Sequence, residues 1–291
     1  MQKNISLKDF NTWNVGGECR EFFAPQSLDE LYQNMPELSE KASDVCVLGG
    51  GSNVLVADGL IDSIVVHTPQ MKGFIISSSS DGRVEIEISS GITTKELLSF
   101  ALKNNLTGVE VLTGIPGTLG GALWGNAGAA GTDLSPVLKR AETVLRNGEL
   151  VVWEKGDLSW EYRKSPFEEK DVMLITKAVL SMQEVTPEEV RKNMARFAQL
   201  KKGQPLAKKT AGCVFKNPAG YSAGRLLDEA GCKQLSVGDA TVSSAHANFI
   251  ENNGNASASD IYTLTQLCKK RVAEQFGVEL EYEIRMLGSF S

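Results

Sequence analysis

The sequence predicts an α+β fold, in which strands and helices are mixed without strict alternation along the chain. Apolar residues alternate with glutamates at positions 84–88, which is the period of a half-buried strand. Apolar residues at helical spacing follow four capping residues, which are Ser27, Thr93, Thr186 and Ser257. A chain of 291 residues is long enough for two or three domains.

The first part of the sequence predicts more strands than helices. One helix begins after Ser27 and has Leu31 and Met35 on its apolar face. A second helix runs from Thr93 to about Asn104. The strands are predicted at residues 45–48, 54–56, 64–67, 84–88, 142–146, 150–153 and 172–180.

The last part of the sequence predicts two helices and a closing strand. The first helix begins after Thr186, with Pro187 at its first position. A final strand is predicted at residues 280–286, where apolar and charged residues alternate. The helix after Ser257 directs an apolar face toward the core, and this face is formed by Ile261, Leu264, Cys268, Val272 and Phe276.

Composition argues against several classes of function. The net charge of −6 and the pI near 5.2 argue against nucleic-acid binding, which requires a clustered basic surface. The chain has no apolar run of about 18 residues, as a membrane helix would need, and its start lacks the apolar core of a signal peptide. Five cysteines without a CxxC pair and only two histidines predict neither disulfides nor a metal site. We therefore expect a cytoplasmic protein that binds neither membranes nor nucleic acids.

The most informative feature is a glycine-rich segment at residues 114–131, which contains seven of the chain's 28 glycines. Such a segment can adopt positive φ angles and bring backbone N–H groups close to an anionic ligand. A second glycine segment, at residues 49–53, follows the strand predicted at 45–48. Two such segments predict a large ligand that carries phosphate.

Neither segment matches the common phosphate-binding loops. A Rossmann turn requires a third glycine at a set position and a following helix. The segment at residues 49–53 has no glycine at that position, and a strand-like run follows it. A P-loop ends in Gly-Lys-Ser/Thr, which is missing from both segments. A purely structural turn remains an alternative for residues 49–53. It explains residues 114–131 less well, because many glycines accompany Pro116 and Asn126 there.

The two glycine segments resemble the flavin-binding core of the family that includes vanillyl-alcohol oxidase. More specifically, they are similar to the MurB family of UDP-N-acetylenolpyruvoylglucosamine reductases. Because further similar motifs follow one another in order, the resemblance covers essentially the whole chain. These motifs lie at residues 11–17, 162–167, 211–218, 223–226, 246–249 and 281–285.

The resemblance implies a two-subdomain FAD-binding fold of the vanillyl-alcohol oxidase type, at residues 1–72 and 73–185. A C-terminal α+β substrate domain would follow at residues 186–291, in the compact form of the family without an extra insertion that covers the substrate. The implied enzyme is a UDP-N-acetylmuramate dehydrogenase. It would use NADPH to reduce UDP-N-acetylglucosamine enolpyruvate in peptidoglycan precursor synthesis, and so would serve cell wall growth, cell shape and division. We expect the protein to be a monomer. We also expect it to bind FAD non-covalently, because neither glycine segment carries a histidine for covalent attachment.

The resemblance also implies roles for individual residues. Arg163 would hold the substrate carboxylate, Cys213 would protonate C2 of the enolpyruvyl group, and Glu283 would stabilise the enol form. The substrate would also contact Asn217, Lys216 and Arg225. FAD would be bound by Gly49, Gly50, Gly51, Ser52, Asn53, Gly114, Ile115, Pro116, Gly117, Gly120, Gly121, Asn126 and Gly128.

Other interpretations of these residues stay open on the sequence alone. Arg163 beside Lys164 could be a surface arginine, and alternation does not distinguish Glu283 from the neighbouring glutamates. Cys213 stands where the family usually has serine, and a buried cysteine is often only a small apolar filler. A thiol is nevertheless more acidic than a hydroxyl, so it can donate a proton. Trp124 could contact the flavin or could simply pack.

Two other functions also stay open. The first is another flavin enzyme of the same fold, such as an oxidase that acts on alcohols, reacts with oxygen and ignores NADPH. The second is a sugar-nucleotide or flavin-binding module without catalysis. The presence of Arg163 and Glu283 argues against that second function.

Overall fold

The structure, a computed structural model, describes residues 1–290. Its mixture of helices and strands confirms the predicted α+β class. The helices are α1 (Leu28–Glu40), α2 (Thr94–Lys103), α3 (Leu119–Trp124), α4 (Pro187–Leu200), α5 (Ala223–Glu229) and α6 (Ala258–Phe276). The strands are β1 (Gln2–Ser6), β2 (Glu18–Phe23), β3 (Val45–Leu48), β4 (Val54–Val56), β5 (Leu60–His67), β6 (Phe74–Ser80), β7 (Arg83–Ser89), β8 (Leu106–Thr107), β9 (Leu138–Leu145), β10 (Leu150–Glu154), β11 (Val172–Glu184), β12 (Ser236–Val237), β13 (Ala240–Val242), β14 (Ile250–Asn252) and β15 (Arg285–Leu287).

Within residues 1–290 these strands form four sheets. The largest has the order β10-β9-β11-β7-β6, with β8 paired to β11, and all of its pairs are antiparallel. A second sheet has the order β1-β2-β5-β3, and a third has the order β12-β13-β14. The fourth is a parallel pair of β4 and β15, in which Val54 lies opposite Arg285.

The chain divides into two compact units. The first unit contains Met1–Phe22, Gly51–Ile64 and the chain from Gly203 onward. The second unit contains Phe23–Gly50 and Val65–Lys202. The chain therefore passes from one unit to the other in the middle of the glycine segment at residues 49–53.

Helix α6 contributes one face to the core of the first unit. Its predicted inner face is almost fully buried at Ile261, Leu264, Cys268 and Val272. The helix begins where predicted, because the side chains of Ser257 and Asp260 each accept a hydrogen bond from the other's backbone N–H. Trp13 is fully buried in the same core and donates its indole N–H to the carbonyl of Ile250 at 2.8 Å.

The core of the second unit includes the inner face of β7. Residues 84, 86 and 88 of this strand are buried whereas the intervening glutamates are only partly buried, as the sequence predicts. Helix α2 packs Leu97 into the same core. Thr93 and Glu96 form the reciprocal capping bonds that fix the start of this helix.

The structure differs from the sequence-based prediction in several places. The sequence patterns did not predict strands β1, β2, β6, β8, β12, β13 and β14 or helix α5. The glycine segment at residues 114–131 contains the short helix α3, which begins because Thr118 caps it and because Leu119 and Leu123 are buried. The strand predicted at residues 280–286 is formed only as β15. In residues 280–284, Leu280 and Ile284 are buried, but these residues do not form a continuous strand with β15.

Burial lowers the pKa of His67, at the end of β5, to about 4. The pKa of histidine in an unfolded chain is about 6.5. Unfolding therefore takes up a proton between these two pH values. As a result, the free energy of unfolding decreases as the pH falls from about 6.5 toward 4.

We expect His67→Gln to weaken this pH dependence, because glutamine does not titrate. Urea denaturation of both proteins at about pH 7 and about pH 4.5 measures the effect, and the wild type should lose more unfolding free energy than the variant. Acidic groups common to both proteins cancel in this comparison. Equal losses in the two proteins would show that His67 does not cause the acid dependence.

Candidate active site

Two glycine loops lie against each other in the second unit. An added Cβ at Gly50 would lie 2.8 Å from the Cα of Gly117, and one at Gly49 would lie 2.6 Å from the Oγ1 of Thr118. Both distances are shorter than real Cβ atoms show. The backbone at residues 49–50 can therefore approach residues 117–118 this closely only because it carries no side chains.

The same loops carry backbone donors that the protein does not use. Within residues 1–290, the N–H groups of Gly50 and Gly117 donate no hydrogen bond to another protein group. Gly50 and Gly117 are half-buried, and Gly114 of the second loop is exposed to solvent. Backbone N–H groups that no protein group accepts are suited to bind an anion such as a phosphate.

Some of the other predicted cofactor residues have packing roles in this unit. Gly120 donates its N–H to the carbonyl of Ser90 at 2.9 Å, and an added Cβ would lie 2.9 Å from the Cβ of that serine. Gly128 is buried, and an added Cβ would lie 2.2 Å from the carbonyl oxygen of Thr132. Ile115 is half-buried. The two glycines are therefore required by packing even before a ligand is considered.

Asn126 has a polar atom that no protein group satisfies. Its side chain is 4% exposed, and its Nδ2 donates to the carbonyl of Glu161 at 2.7 Å. Its Oδ1 is buried without a hydrogen-bond partner. Because buried acceptors are nearly always paired, this oxygen requires a donor from outside the chain. The ring N–H or the hydroxyls of FAD are donors of the required kind, so the residues present fit that cofactor.

Arg163 forms hydrogen bonds with the same glycine segment. Its guanidinium donates to the carbonyl of Asn126 at 3.2 Å and to the carbonyl of Gly128 at 2.8 Å. The side chain is half-buried, and the backbone has a φ of 55°. The structure therefore places this arginine on the glycine segment rather than as a solvated surface residue.

In the first unit, residues 51–53 bond to the C-terminal part of the chain. Asn53 donates from Nδ2 to the carbonyl of Glu283 at 3.0 Å, and its own carbonyl accepts the N–H of Arg285 at 2.9 Å. Gly51 has a φ of 61°, and an added Cβ would lie 2.0 Å from the carbonyl oxygen of Phe10. Ser52 between them is half-buried. Asn53 thus holds the backbone of a predicted catalytic residue.

Cys213 and Glu283 lie on neighbouring backbone segments of the first unit. The N–H of Glu283 donates to the carbonyl of Val214 at 2.8 Å. Phe215 and Tyr282 form an antiparallel bridge, and their stacked rings lie 5.4 Å apart. Both Cys213 and Glu283 are half-buried. The structure therefore brings together the segments of the two predicted proton-handling residues, while Arg163 belongs to the second unit.

The predicted substrate-binding residues lie in the first unit and take part in surface contacts. The Nζ of Lys216 lies 3.3 Å from the carboxylate of Glu281, and the Nε of Arg225 lies 2.6 Å from that of Glu229. Asn217 is exposed and accepts a backbone N–H at the start of α5. Exposed ion pairs contribute little free energy, so both cations can exchange these partners for an anionic ligand.

The described part of the chain lacks two other kinds of site. Residues 1–290 contain no group of three or more histidine, cysteine, aspartate or glutamate side chains that could hold a metal ion. In the same range, no helix has both the length and the apolar character needed to cross a membrane.

We expect Gly50→Ala to destabilise the protein, because the backbone of Gly117 cannot easily move away from a Cβ at 2.8 Å. Overpacking of this kind costs about 1–3 kcal/mol of folding free energy. It should lower the thermal midpoint and the amount of flavin bound per chain, measured by thermal unfolding and visible absorbance. Gly156→Ala is the control, because an added Cβ there meets nothing within 4 Å. Equal behaviour of the two variants would contradict the steric argument.

Comparison with known families identifies two domains in the chain. Residues 20–154 match an FAD binding domain, and residues 204–287 match the UDP-N-acetylenolpyruvoylglucosamine reductase C-terminal domain. The first match confirms the predicted FAD-binding fold.

Individual relatives match along nearly the whole chain. The UDP-N-acetylenolpyruvoylglucosamine reductase of Caldanaerobacter subterraneus is 35% identical over 98% of this chain and 93% of its own. That of Carboxydothermus hydrogenoformans is 37% identical with the same coverage. The crystal structure of the Thermus caldophilus reductase is 33% identical, covers 98% of both chains and has a TM-score of 0.80. The chain therefore belongs to the family of UDP-N-acetylenolpyruvoylglucosamine reductases, which are FAD-dependent oxidoreductases.

Proposed function

We propose that this protein catalyses the NADPH-dependent reduction of UDP-N-acetylglucosamine enolpyruvate to UDP-N-acetylmuramate, a step of peptidoglycan precursor synthesis. The observation that carries the proposal is the bond between Glu283 and Val214, in a chain of this family. This bond holds the segment of Glu283 beside the segment of Cys213. A reaction that adds a hydride to one carbon and a proton to the next needs a proton donor and an enol-stabilising group close together.

FAD fits the glycine segments, and we propose that it is bound there without a covalent bond. Bound FAD would supply the hydride that is added to C3 of the enolpyruvyl group, and NADPH would supply that hydride to FAD. The N–H groups of Gly50 and Gly117, which donate to no other protein group, suit its diphosphate. Asn126 offers its unpartnered Oδ1 to a donor of the cofactor. Gly49, Gly51, Ser52, Asn53, Gly114, Ile115, Pro116, Gly120, Gly121 and Gly128 complete the proposed set.

Arg163 would bind the carboxylate of the enolpyruvyl group. A guanidinium can form two parallel hydrogen bonds to a carboxylate, and it stays charged throughout the reaction. Negative charge develops at C2 and on the adjoining carboxylate as the hydride arrives at C3. Arg163 would therefore lower the energy of the transition state more than that of the ground state.

Cys213 and Glu283 would complete the reduction. Cys213 would donate its thiol proton to C2, which leaves a thiolate and a new C–H bond. Glu283 would hold a proton on the enol form of the intermediate until C2 is protonated. We assign contacts with the remainder of the substrate to Asn217, Lys216 and Arg225.

The remaining sequence-based expectations are part of the same proposal. We propose FAD-binding subdomains at residues 1–72 and 73–185 and a substrate domain at residues 186–291. We also propose that the chain acts as a cytoplasmic monomer, whose partners are small molecules rather than membranes or nucleic acids.

We expect Arg163→Ala to separate the two half-reactions. Reduction of the flavin by NADPH should stay nearly unchanged, whereas reoxidation by the enolpyruvyl substrate should slow by about 10²–10³-fold, because a charge-stabilising donor is lost. Stopped-flow absorbance, normalised to bound flavin, measures both rates. Lys164→Ala is the control, since that exposed neighbour pairs with Glu161 at the surface. Equal losses in both half-reactions of Arg163→Ala would indicate a structural role instead.

We expect the two substitutions of Cys213 to differ from each other. Cys213→Ala should keep flavin reduction and ligand binding but lose most of its turnover, because no group remains to protonate C2. Cys213→Ser should retain substantial activity, because a hydroxyl of similar size can donate the proton. It should also abolish inactivation by alkylating reagents at this residue. If alanine supports turnover as fast as serine does, the cysteine only packs and another group is the donor.

A further inference from the structure

We propose that Asn248 is a positioning residue, which fixes the segment of Cys213 relative to that of Glu283. The inference rests on the proposed function of those two residues. Asn248 is 3% exposed and belongs to the motif at residues 246–249, to which the sequence assigned no role. Its Oδ1 accepts the N–H of Phe215 at 3.0 Å, and its Nδ2 donates to the carbonyl of the same residue at 2.8 Å.

The side chain of Asn248 thus forms two hydrogen bonds with the backbone of Phe215, as a residue of a neighbouring β-strand would. It acts as acceptor and donor toward Phe215, so a shift of that residue along the chain direction would break both hydrogen bonds. The backbone of Asn248 adds a third bond, because its carbonyl accepts the N–H of Val214 at 2.9 Å. Both residues directly after Cys213 are therefore bonded to Asn248.

The other edge of the segment bonds to the chain that carries Glu283. The carbonyl of Val214 accepts the N–H of Glu283 at 2.8 Å, and the N–H of Lys216 donates to the carbonyl of Glu281 at 2.9 Å. Residues 214–216 therefore lie between Asn248 on one side and residues 281–283 on the other. Replacing the side chain of Asn248 would remove both bonds to Phe215 and leave only the backbone bond to Val214 on that edge.

Asn248 is itself held in place by its own turn. Its N–H donates to Nδ1 of His246 at 3.2 Å, which leaves the ring proton of a neutral His246 on Nε2. The N–H of Phe249 donates to the carbonyl of His246 at 3.0 Å, and the N–H of Ser243 donates to the carbonyl of Phe249 at 2.8 Å. Because Asn248 is anchored in this way, its bonds to Val214 and Phe215 can keep the segment of Cys213 in a fixed position.

Asn252 provides a matched control in the same unit. It is 6% exposed, and its side chain also bonds to the backbone in both directions. Its Nδ2 donates to the carbonyl of Trp13 at 2.9 Å, and its Oδ1 accepts the N–H groups of Gly254 and Ala256 at 3.0 and 3.1 Å. None of these partners adjoins Cys213 or Glu283 in sequence. Replacing either asparagine by alanine therefore removes similar side-chain hydrogen bonds. Only the substitution of Asn248 removes bonds to the segment that follows Cys213.

The kinetic experiment compares Asn248→Ala with Asn252→Ala in the FAD-bound protein. Both variants should have a lower thermal midpoint. Only Asn248→Ala should slow flavin reoxidation by UDP-N-acetylglucosamine enolpyruvate, by about 10²-fold, since a displacement of about 1 Å has an effect of that size. Flavin reduction by NADPH should change less than about twofold in either variant. If Asn248→Ala does not fold, Asn248→Ser is used in its place, because it removes less volume.

A second measurement does not depend on activity. The rate of alkylation of Cys213 by iodoacetamide is followed by peptide mass spectrometry, with the partly buried Cys46 of the other unit as an internal reference. Relative to Cys46, the rate at Cys213 should change several-fold in Asn248→Ala and stay unchanged in Asn252→Ala. Equal kinetics and equal alkylation in the two variants would overturn the positioning role. If the substrate does not reoxidise even wild-type flavin, the proposed function fails, and alkylation alone decides whether Asn248 positions Cys213.

Discussion

The proposed active site depends on the absence of side chains where two loops meet. With no Cβ at Gly49 or Gly50, the first glycine segment can lie against Gly117 and Thr118. That contact determines which backbone N–H groups remain available to a ligand. A single methyl group at Gly50 would meet backbone rather than a mobile side chain, so the constraint cannot be relieved by a change of rotamer.

The residues with proposed chemical roles are held through the main chain. Arg163 bonds to two carbonyls of the glycine segment, and because carbonyls are neutral, these bonds orient the guanidinium without cancelling its charge. Glu283 is held through its backbone by Asn53 and Val214. Holding Glu283 by its backbone fixes its position and leaves its carboxylate available for substrate.

The sequence predicted the features that local patterns determine. The capped starts of α2 and α6, the alternation in β7 and the buried face of α6 follow from residues close together in the chain. The glycine segments indicated a phosphate-bearing ligand, but their density concealed α3, whose formation depends on burial of Leu119 and Leu123. Trp124 stacks on Phe167 at 6.4 Å, so packing accounts for it.

The sequence could not predict contacts between distant segments. The side chain of Asn53 binds the backbone of Glu283, 230 positions away, and Asn248 binds Phe215, 33 positions away. Asn53 lies in a glycine segment and Asn248 in the motif at residues 246–249, but neither local sequence indicates the distant partner. The isolated bridge of Phe215 with Tyr282, in place of a continuous final strand, likewise arises from pairing that only the folded chain provides.

The visible spectrum of the purified protein under anaerobic conditions tests the central claim most directly. We expect a flavin spectrum that NADPH bleaches and that one equivalent of UDP-N-acetylglucosamine enolpyruvate per flavin then restores, with UDP-N-acetylmuramate as the product. A colourless protein, or a bleached flavin that this substrate leaves bleached, would contradict the account.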